Sequence, residues 1–393
     1  MIACCSIFRA TGYFLTKELM KRFILYSIFC ITSVLSSNSQ IKDGFYRVRN
    51  LATDRYIYIL DNTGSINIAT TSADMGALKL WKGKSKALTD PATVVYAEYK
   101  HKGSYGDMYD LQAQGTGVYG IIGYYVNIYP YTSTGAKNQY YVYAEGKYLT
   151  DPERSSRAFA YLGTTGSGDY RIWIAEPIDL EDNYLAVTPT ITANGKYYAP
   201  YYVGFAISFP STNIKAKYIS KIVGEYAVMS DITSDVVPAS TPILIECASN
   251  EETDNKLNVL KSNTTFSGTN LLNGVYFNYD ERPKSKDARK AYDPQTMRVL
   301  GLTSEGKLGY ITADIDYLPA NQSYLVVPAG TAKELTIVTE AEYIAGINNI
   351  KVENRNNAPV YDLNGKKVSE TNASIHSLPQ GIYISGGKKI KIK

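Results

Sequence analysis

The sequence predicts an all-β fold, and three observations carry that reading. Tyrosine is abundant, with 36 residues against 10 phenylalanines and 2 tryptophans, and it suits a pleated, half-buried surface better than a helix. Short runs of alternating apolar and polar residues recur between turn residues over most of the chain. Only one stretch carries a good helix signal, the capping box Thr339-Glu-Ala-Glu342 ahead of Tyr343-Ile-Ala. At 393 residues the chain has room for two or three domains.

The front end reads separately. Residues 1–19 carry no usable pattern, but from Met20 the pair Lys21-Arg22 precedes an apolar run, Phe23 to Leu35, and then Ser36-Ser37-Asn38-Ser39. That is the order of a secretory signal peptide, with Met20 as the expected start and cleavage expected after Ser39. The apolar run is shorter than the about 20 residues a membrane span needs, so no transmembrane span is expected once it is removed. Residues 1–39 hold Arg9, Lys17, Lys21 and Arg22 against Glu18, so of the net charge of +4 the remainder keeps +1. So neutral a chain offers no electrostatic footprint for nucleic acid. Cys4, Cys5 and Cys30 lie in the same front end, leaving Cys247 alone. That excludes an internal disulfide and a cysteine-built zinc site.

Residues 41–179 read as short strands and turns. Phe45-Tyr-Arg-Val-Arg49 alternates, Thr53-Asp54 turns, and Arg55-Tyr-Ile-Tyr-Ile59 alternates again before Asp61-Asn-Thr-Gly64. Tyr46-x-Val48 with Tyr56 is echoed by Tyr109-x-Leu111 with Tyr119, and more briefly by Tyr141 to Tyr148-Leu; Trp173 would close the last unit. Hairpins repeated in this way point to a closed, pseudo-threefold β structure. The opening Tyr46-Arg-Val-x-Asn-x-Ala-Thr-x-Arg-Tyr-Ile57 and the element Gly146-Lys-Tyr-Leu-Thr-Asp151 resemble the ricin-type β-trefoil lectins, with Lys79-Leu-Trp81 and Arg171-Ile-Trp173 in place of that family's Gln-x-Trp. The resemblance implies a β-trefoil-like domain and carbohydrate binding.

Residues 180–345 form a second β-rich region with an internal echo. Ile232-Thr-Ser-Asp-Val-Val-Pro238-Ala-Ser-Thr-Pro-Ile-Leu244 matches Ile311-Thr-Ala-Asp-Ile-Asp-Tyr-Leu-Pro319-Ala-Asn-Gln-Ser-Tyr-Leu325. Each copy is a Pro-Ala turn followed by a buried-looking strand, so a β-sandwich or barrel module is expected. The pattern resembles an accessory module common in secreted Bacteroidota proteins. Residues 346–393 are an Asn-rich linker and a tail expected to be a short β-hairpin. Asn364-Gly365 predicts a type I′ turn, and Gly381 to Ser385 and Lys389 to Lys393 read as strands joined at Gly386-Gly387. The tail resembles the C-terminal sorting domain of type IX secretion, which implies an extracellular or outer-surface location.

Chemistry is sparse. The two histidines, His101 and His376, lie far apart in polar loops, which speaks against Ser-His-Asp or Cys-His catalysis and against a His/Cys metal centre. Carboxylate pairs suffice for a glycosidase: Asp314 and Asp316 are expected on one strand face, and Asp107 and Asp110 frame Met108-Tyr109, but Asp314 sits in the repeated context that also holds Asp235. A residue present in both halves of a duplication reads as a turn or cap. Asn250 to Asn255 lacks the glycine and terminal glutamate of an EF-hand and reads as a solvated loop. The basic run Arg282 to Lys290 reads the same way, with an anionic polymer as its functional alternative. Alternation places Tyr125, Tyr129 and Tyr131 on one face, a stacking platform for sugar rings, with Trp173 as a further candidate; cross-strand and core packing is the competing role. No catalytic residue, metal or cofactor is expected. The functional expectation is a secreted or surface-exposed, non-catalytic protein that binds glycan or a host polymer through the trefoil-like domain. The alternative is a structural or adhesive envelope protein that contacts other proteins.

Overall fold

The computed structural model describes residues 40–59, 68–70, 87–104, 106–115, 126–131, 138–144, 146–151, 161–163, 168–278, 289–345, 358–385 and 388–392. The expected signal peptide, Trp81, Tyr125 and residues 282–288 of the basic run lie outside them. Among the described residues the chain is nearly all β, as the sequence predicts, and no helix is long and apolar enough to cross a membrane.

The first region contains β1 (Gly44–Asn50), β2 (Ile57–Ile59), β3 (Ile68–Thr70), β4 (Val95–Gly103), β5 (Gly106–Ala113), β6 (Val126–Pro130), β7 (Gln139–Ala144), β8 (Lys147–Thr150), β9 (Tyr161–Gly163) and β10 (Ile172–Pro177). Strands β1, β4, β5, β6 and β7 pair antiparallel in that order. Strand β10 pairs with both β7 and β1, so six strands close into a barrel. β2 with β3, and β8 with β9, form hairpins attached to the ring.

Period-two alternation fills the barrel. In β7, Tyr140, Val142 and Ala144 point inward while Gln139, Tyr141 and Tyr143 face out. Tyr109, Val126, Leu149 and Trp173 complete the core. The motif residues of the sequence are scaffold. Asn50 is fully buried; its carboxamide oxygen accepts the Ala52 and Thr53 amides at 3.0 and 3.2 Å, and its Nδ2 donates to the Tyr170 carbonyl at 2.9 Å. Arg55 and the fully buried Asp151 form an ion pair between the first and last units, and Thr53 Oγ1 donates to the same carboxylate at 2.5 Å.

In the second region a ten-stranded mixed sheet contains both halves of the echo. Ser240 and Asn321 occupy matching positions after each Pro-Ala, and both adopt positive φ, 58° and 54°. Each then introduces a buried strand, Ile243–Cys247 and Gln322–Val326. The duplicated segment is thus a left-handed corner that throws the chain into the core. The two regions share packing. Phe45 and Tyr96, on the outside of the barrel, pack with Phe205 of the second region, the Phe45 ring lying 4.8 Å from Tyr96 and 5.6 Å from Phe205. In return Phe277 enters the barrel core. Gln114 and Asn321 join across the same boundary, Asn321 Nδ2 donating to Gln114 Oε1 at 3.0 Å.

The tail is more than the expected hairpin. Val360–Asp362 pairs on one side with Lys367–Ser369 and on the other with Gly381–Ser385, which pairs in turn with Lys388–Ile392. A lone hairpin buries too little to persist; four strands let Val360, Ile375 and Tyr383 form a small core of their own. The turn differs from type I′ as well, because Gly365 takes positive φ (79°) and Asn364 does not. Asp362 Oδ1 instead accepts the amides of Asn364 and Lys366, each at 2.9 Å, an Asx-type turn. The capping box forms as read: Thr339 Oγ1 donates to Glu342 at 2.8 Å and accepts the Glu342 amide at 3.2 Å.

Two outcomes follow from the buried polar groups. Asp151→Ala removes the carboxylate that pairs with buried Arg55 and is expected to destabilise the barrel by about 3–5 kcal/mol, read by denaturant unfolding; Arg55→Met with Asp151→Leu recovers most of that loss. Cys247 is 5% exposed, and burial, with the charge of Glu246, pushes its thiol up to about 12. Iodoacetamide at about pH 8 is expected to leave it unmodified in the folded chain and to alkylate it after unfolding, as read by peptide mass mapping.

Candidate functional site

The outward face of β6, β7 and β8 gathers Tyr129, Tyr131, Tyr141, Tyr143 and Tyr148. Antiparallel register sets Tyr129 opposite Tyr141 and Tyr143 opposite Tyr148, so side chains of one parity stand side by side. Tyr129 lies 5.4 Å from Tyr141, 6.5 Å from Tyr143 and 6.3 Å from Tyr148, and Tyr131 lies 5.5 Å from Tyr141. The rings meet tilted or edge-on, at 45° to 87°, the arrangement that their quadrupoles favour. All five are half-buried: their flanks pack on one another, leaving part of each ring to solvent. Arg171 sits over the Tyr148 ring at 5.0 Å. Burial, then a hydrogen bond to Tyr148, holds the Tyr129 phenol above its ordinary range, so it stays neutral and able to donate.

Beside the rings Asn127, opposite Tyr143 in register, carries a carboxamide oxygen that is buried without a hydrogen-bond partner. The face therefore offers aromatic surface, phenolic hydroxyls and a guanidinium. That set suits a neutral, hydroxyl-bearing ligand. Alternation places Tyr129 and Tyr131 together, as the sequence implies, and Tyr125 lies outside the described residues. Tyr141, Tyr143 and Tyr148 were legible in the period of Gln139 to Ala144 and in the Gly146 turn, but only the strand register shows that they join the same face.

Trp173 is not part of this face. It is 1% exposed in the barrel core and its Nε1 donates to the Leu149 carbonyl at 3.0 Å; β10 turns it inward, so it offers no ring to a ligand. The carboxylate pairs separate too. Asp107 and Asp110 stand three apart on β5 and hence on opposite faces. Asp110 is buried and accepts from Gln112 at 2.8 Å. Asp314 and Asp316 lie beyond the end of the strand Leu308–Ile311, in an exposed loop and not on a strand face. The loop Asn250 to Asn255 is knitted around buried Asn255, which accepts the Ala248 amide and donates to the Ser249 and Glu251 carbonyls. Among the described residues no group of three or more His, Cys, Asp or Glu is placed to hold a metal ion.

No protein-family model matches the chain, and no curated protein matches it. Among solved structures it is similar to a chain from the work "Structure and mode of action of a mosquitocidal holotoxin", at 12% identity and a TM-score of 0.26. The match covers 76% of this chain and 43% of that one, so this chain spans less than half of that neighbour. A likeness so slight carries none of the toxin's properties across.

Proposed function

We propose that this is an exported, non-catalytic binding protein whose barrel contacts a glycan or similar hydroxyl-rich polymer through the tyrosine face. The observation that carries the reading is the gathering of five half-buried tyrosines, with Arg171, on one outer face of the barrel. Sugar rings present C–H faces that pack on aromatic surface and hydroxyls that pair with phenols. Export rests on the order of charged, apolar and small residues from Met20 to Ser39 and on the sorting-like tail.

On a glycan array the folded full chain is expected to retain a defined set of glycans, and Tyr129→Ala or Tyr141→Ala to weaken retention by about five- to tenfold each. Both side chains face outward, so these variants leave the barrel core intact. A folded chain that binds no glycan, or binding indifferent to both substitutions, removes the reading. In that case crosslinking on intact cells should recover protein neighbours, as an adhesive role requires. Terminal sequencing of the polypeptide recovered from cell fractions tests export, with a new N-terminus near Gln40 expected outside the cytoplasm.

A further inference from the structure

A cleft of ≈ 510 Å³ opens where the barrel meets the second region, and none of the five tyrosines lines it. Its walls come from four stretches distant in sequence: Asp90 to Ala92, Val187 to Thr190, Ala199 to Tyr201 and Tyr276 to Asn278, with the Pro319 corner of the second echo closing one side. That volume lies within the range of small-molecule sites, which favour boundaries between domains.

The cleft is a built one. Gly274 has no side chain because Tyr202 lies flat on its backbone; a Cβ there would come within 2.0 Å of the ring. Tyr202 in turn stacks on Tyr276 at 4.4 Å, and Ser240 Oγ and the Tyr276 hydroxyl are 2.6 Å apart, so this aromatic wall is fixed from both sides. Asp90 caps the short turn Pro91–Thr93, accepting the Ala92 amide at 2.8 Å. Its carboxyl is pushed up to about 6 by burial, against the Ala92 hydrogen bond and the charge of Arg47. Tyr201 is 6% exposed and its hydroxyl has no hydrogen-bond partner. Burial above all, and then the charge of Asp90, holds the Tyr201 phenol above its ordinary range, with Arg47 acting against it. A buried hydroxyl left unpaired costs about 1–3 kcal/mol.

The chemistry of the lining selects the ligand. Among the described residues no lysine, arginine or histidine lines it, so an anion would meet Asp90 with no described cation in the lining to offset it. Burial holds the Asp90 carboxyl up toward its neutral form, with the charge of Arg47 acting in the opposite direction, which weakens the case for a cation. Apolar Val187, Ala199 and Pro319 alternate with Thr188, Thr190 and Gln322. We infer that this cleft is a second binding site, for a neutral, polyhydroxylated small molecule of about disaccharide size, seated between the two regions with Asp90, Thr188, Thr190 and Gln322 as its polar lining. The site stands independently of the tyrosine face.

Saturation-transfer NMR on the full chain with maltose, lactose and cellobiose, each at about 10 mM, tests it, with glucosamine and galacturonate as charged controls. At least one neutral disaccharide should receive saturation. Thr190→Trp, which fills the exposed mouth, and Asp90→Asn, which keeps the cap acceptor and removes the charge, should each weaken that binding by about tenfold or more. Tyr141→Ala should leave it unchanged, so a failed glycan array and a failed cleft remain separate results. The inference is overturned if no neutral disaccharide binds, if only a charged control binds, or if binding survives both cleft variants in chains shown to be folded by near-UV circular dichroism.

Discussion

Barrel closure is the constraint on which the rest depends. A sheet of six strands has two edges, and each would expose unpaired amides and carbonyls. Pairing β10 with both β1 and β7 removes them. The pairing joins the two ends of the region, so the register must be held across more than a hundred residues. Asn50 and the Arg55–Asp151 pair hold it. Asn50 satisfies the amides of the turn after β1 and also donates to the chain entering β10. A sheet slipped by one residue would turn Trp173 outward and leave a buried arginine without its acid. These polar groups therefore specify the closed register more than they add to stability, since a buried ion pair seldom outperforms well-packed apolar residues.

The same logic, with a different acceptor, governs the boundary between the two regions. Arg47 is fully buried, and its guanidinium donates to Thr93 Oγ1 at 2.9 Å, to Asn183 Oδ1 at 2.8 Å and to the Tyr184 carbonyl at 2.8 Å. Desolvation lowers it to about 10, so it stays charged at neutral pH. Arg298, 2% exposed, repeats the device in the second region by donating to the carbonyls of Pro294, Met297, Thr331 and Ala332. Arginine suits this role because five donors in a rigid fork can satisfy several carbonyls of an irregular loop at once. Two of the chain's cations thus act as internal staples for loops that no strand ladder can hold.

The fold class was legible because it rests on local periodicity. Alternation in β1 and β7, the tyrosine bias and the Pro-Ala echo all survive into the structure for the reasons the sequence suggests. Its errors came from contacts distant in sequence. Nothing local in Lys366 to Lys393 says that Val360–Asp362 will pair on both sides, so the tail read as a hairpin instead of a four-stranded sheet. Trp173 carried a motif-based expectation of ligand contact, yet strand parity decides which way a tryptophan points, and β10 points it inward. Asp314 and Asp316 matched strand alternation while lying past the strand's end. Tyr129 and Tyr131 were readable as a pair; their convergence with Tyr148 depends on the β7–β8 turn. The cleft was invisible, since its walls come from stretches more than two hundred residues apart, Asp90 at one extreme and Gln322 at the other.

Tyrosine itself connects these levels. Inside the barrel the Tyr109 hydroxyl reaches the Ile41 carbonyl at 2.8 Å, so this core phenol keeps a hydrogen bond. On the outer face the rings support one another tilted or edge to face, and the Tyr129 phenol has Tyr148 as its hydrogen-bond partner. Tyr201 fits neither pattern. Its ring packs among Val203, Phe205 and Ile243, which phenylalanine would do equally well, while its hydroxyl is desolvated and unpaired. Phenylalanine there would keep the apolar contacts and lift the penalty, so packing alone gives no reason for the oxygen. Tyr310 shares the feature, a buried ring whose hydroxyl is likewise unpaired, so packing alone accounts for neither phenol oxygen.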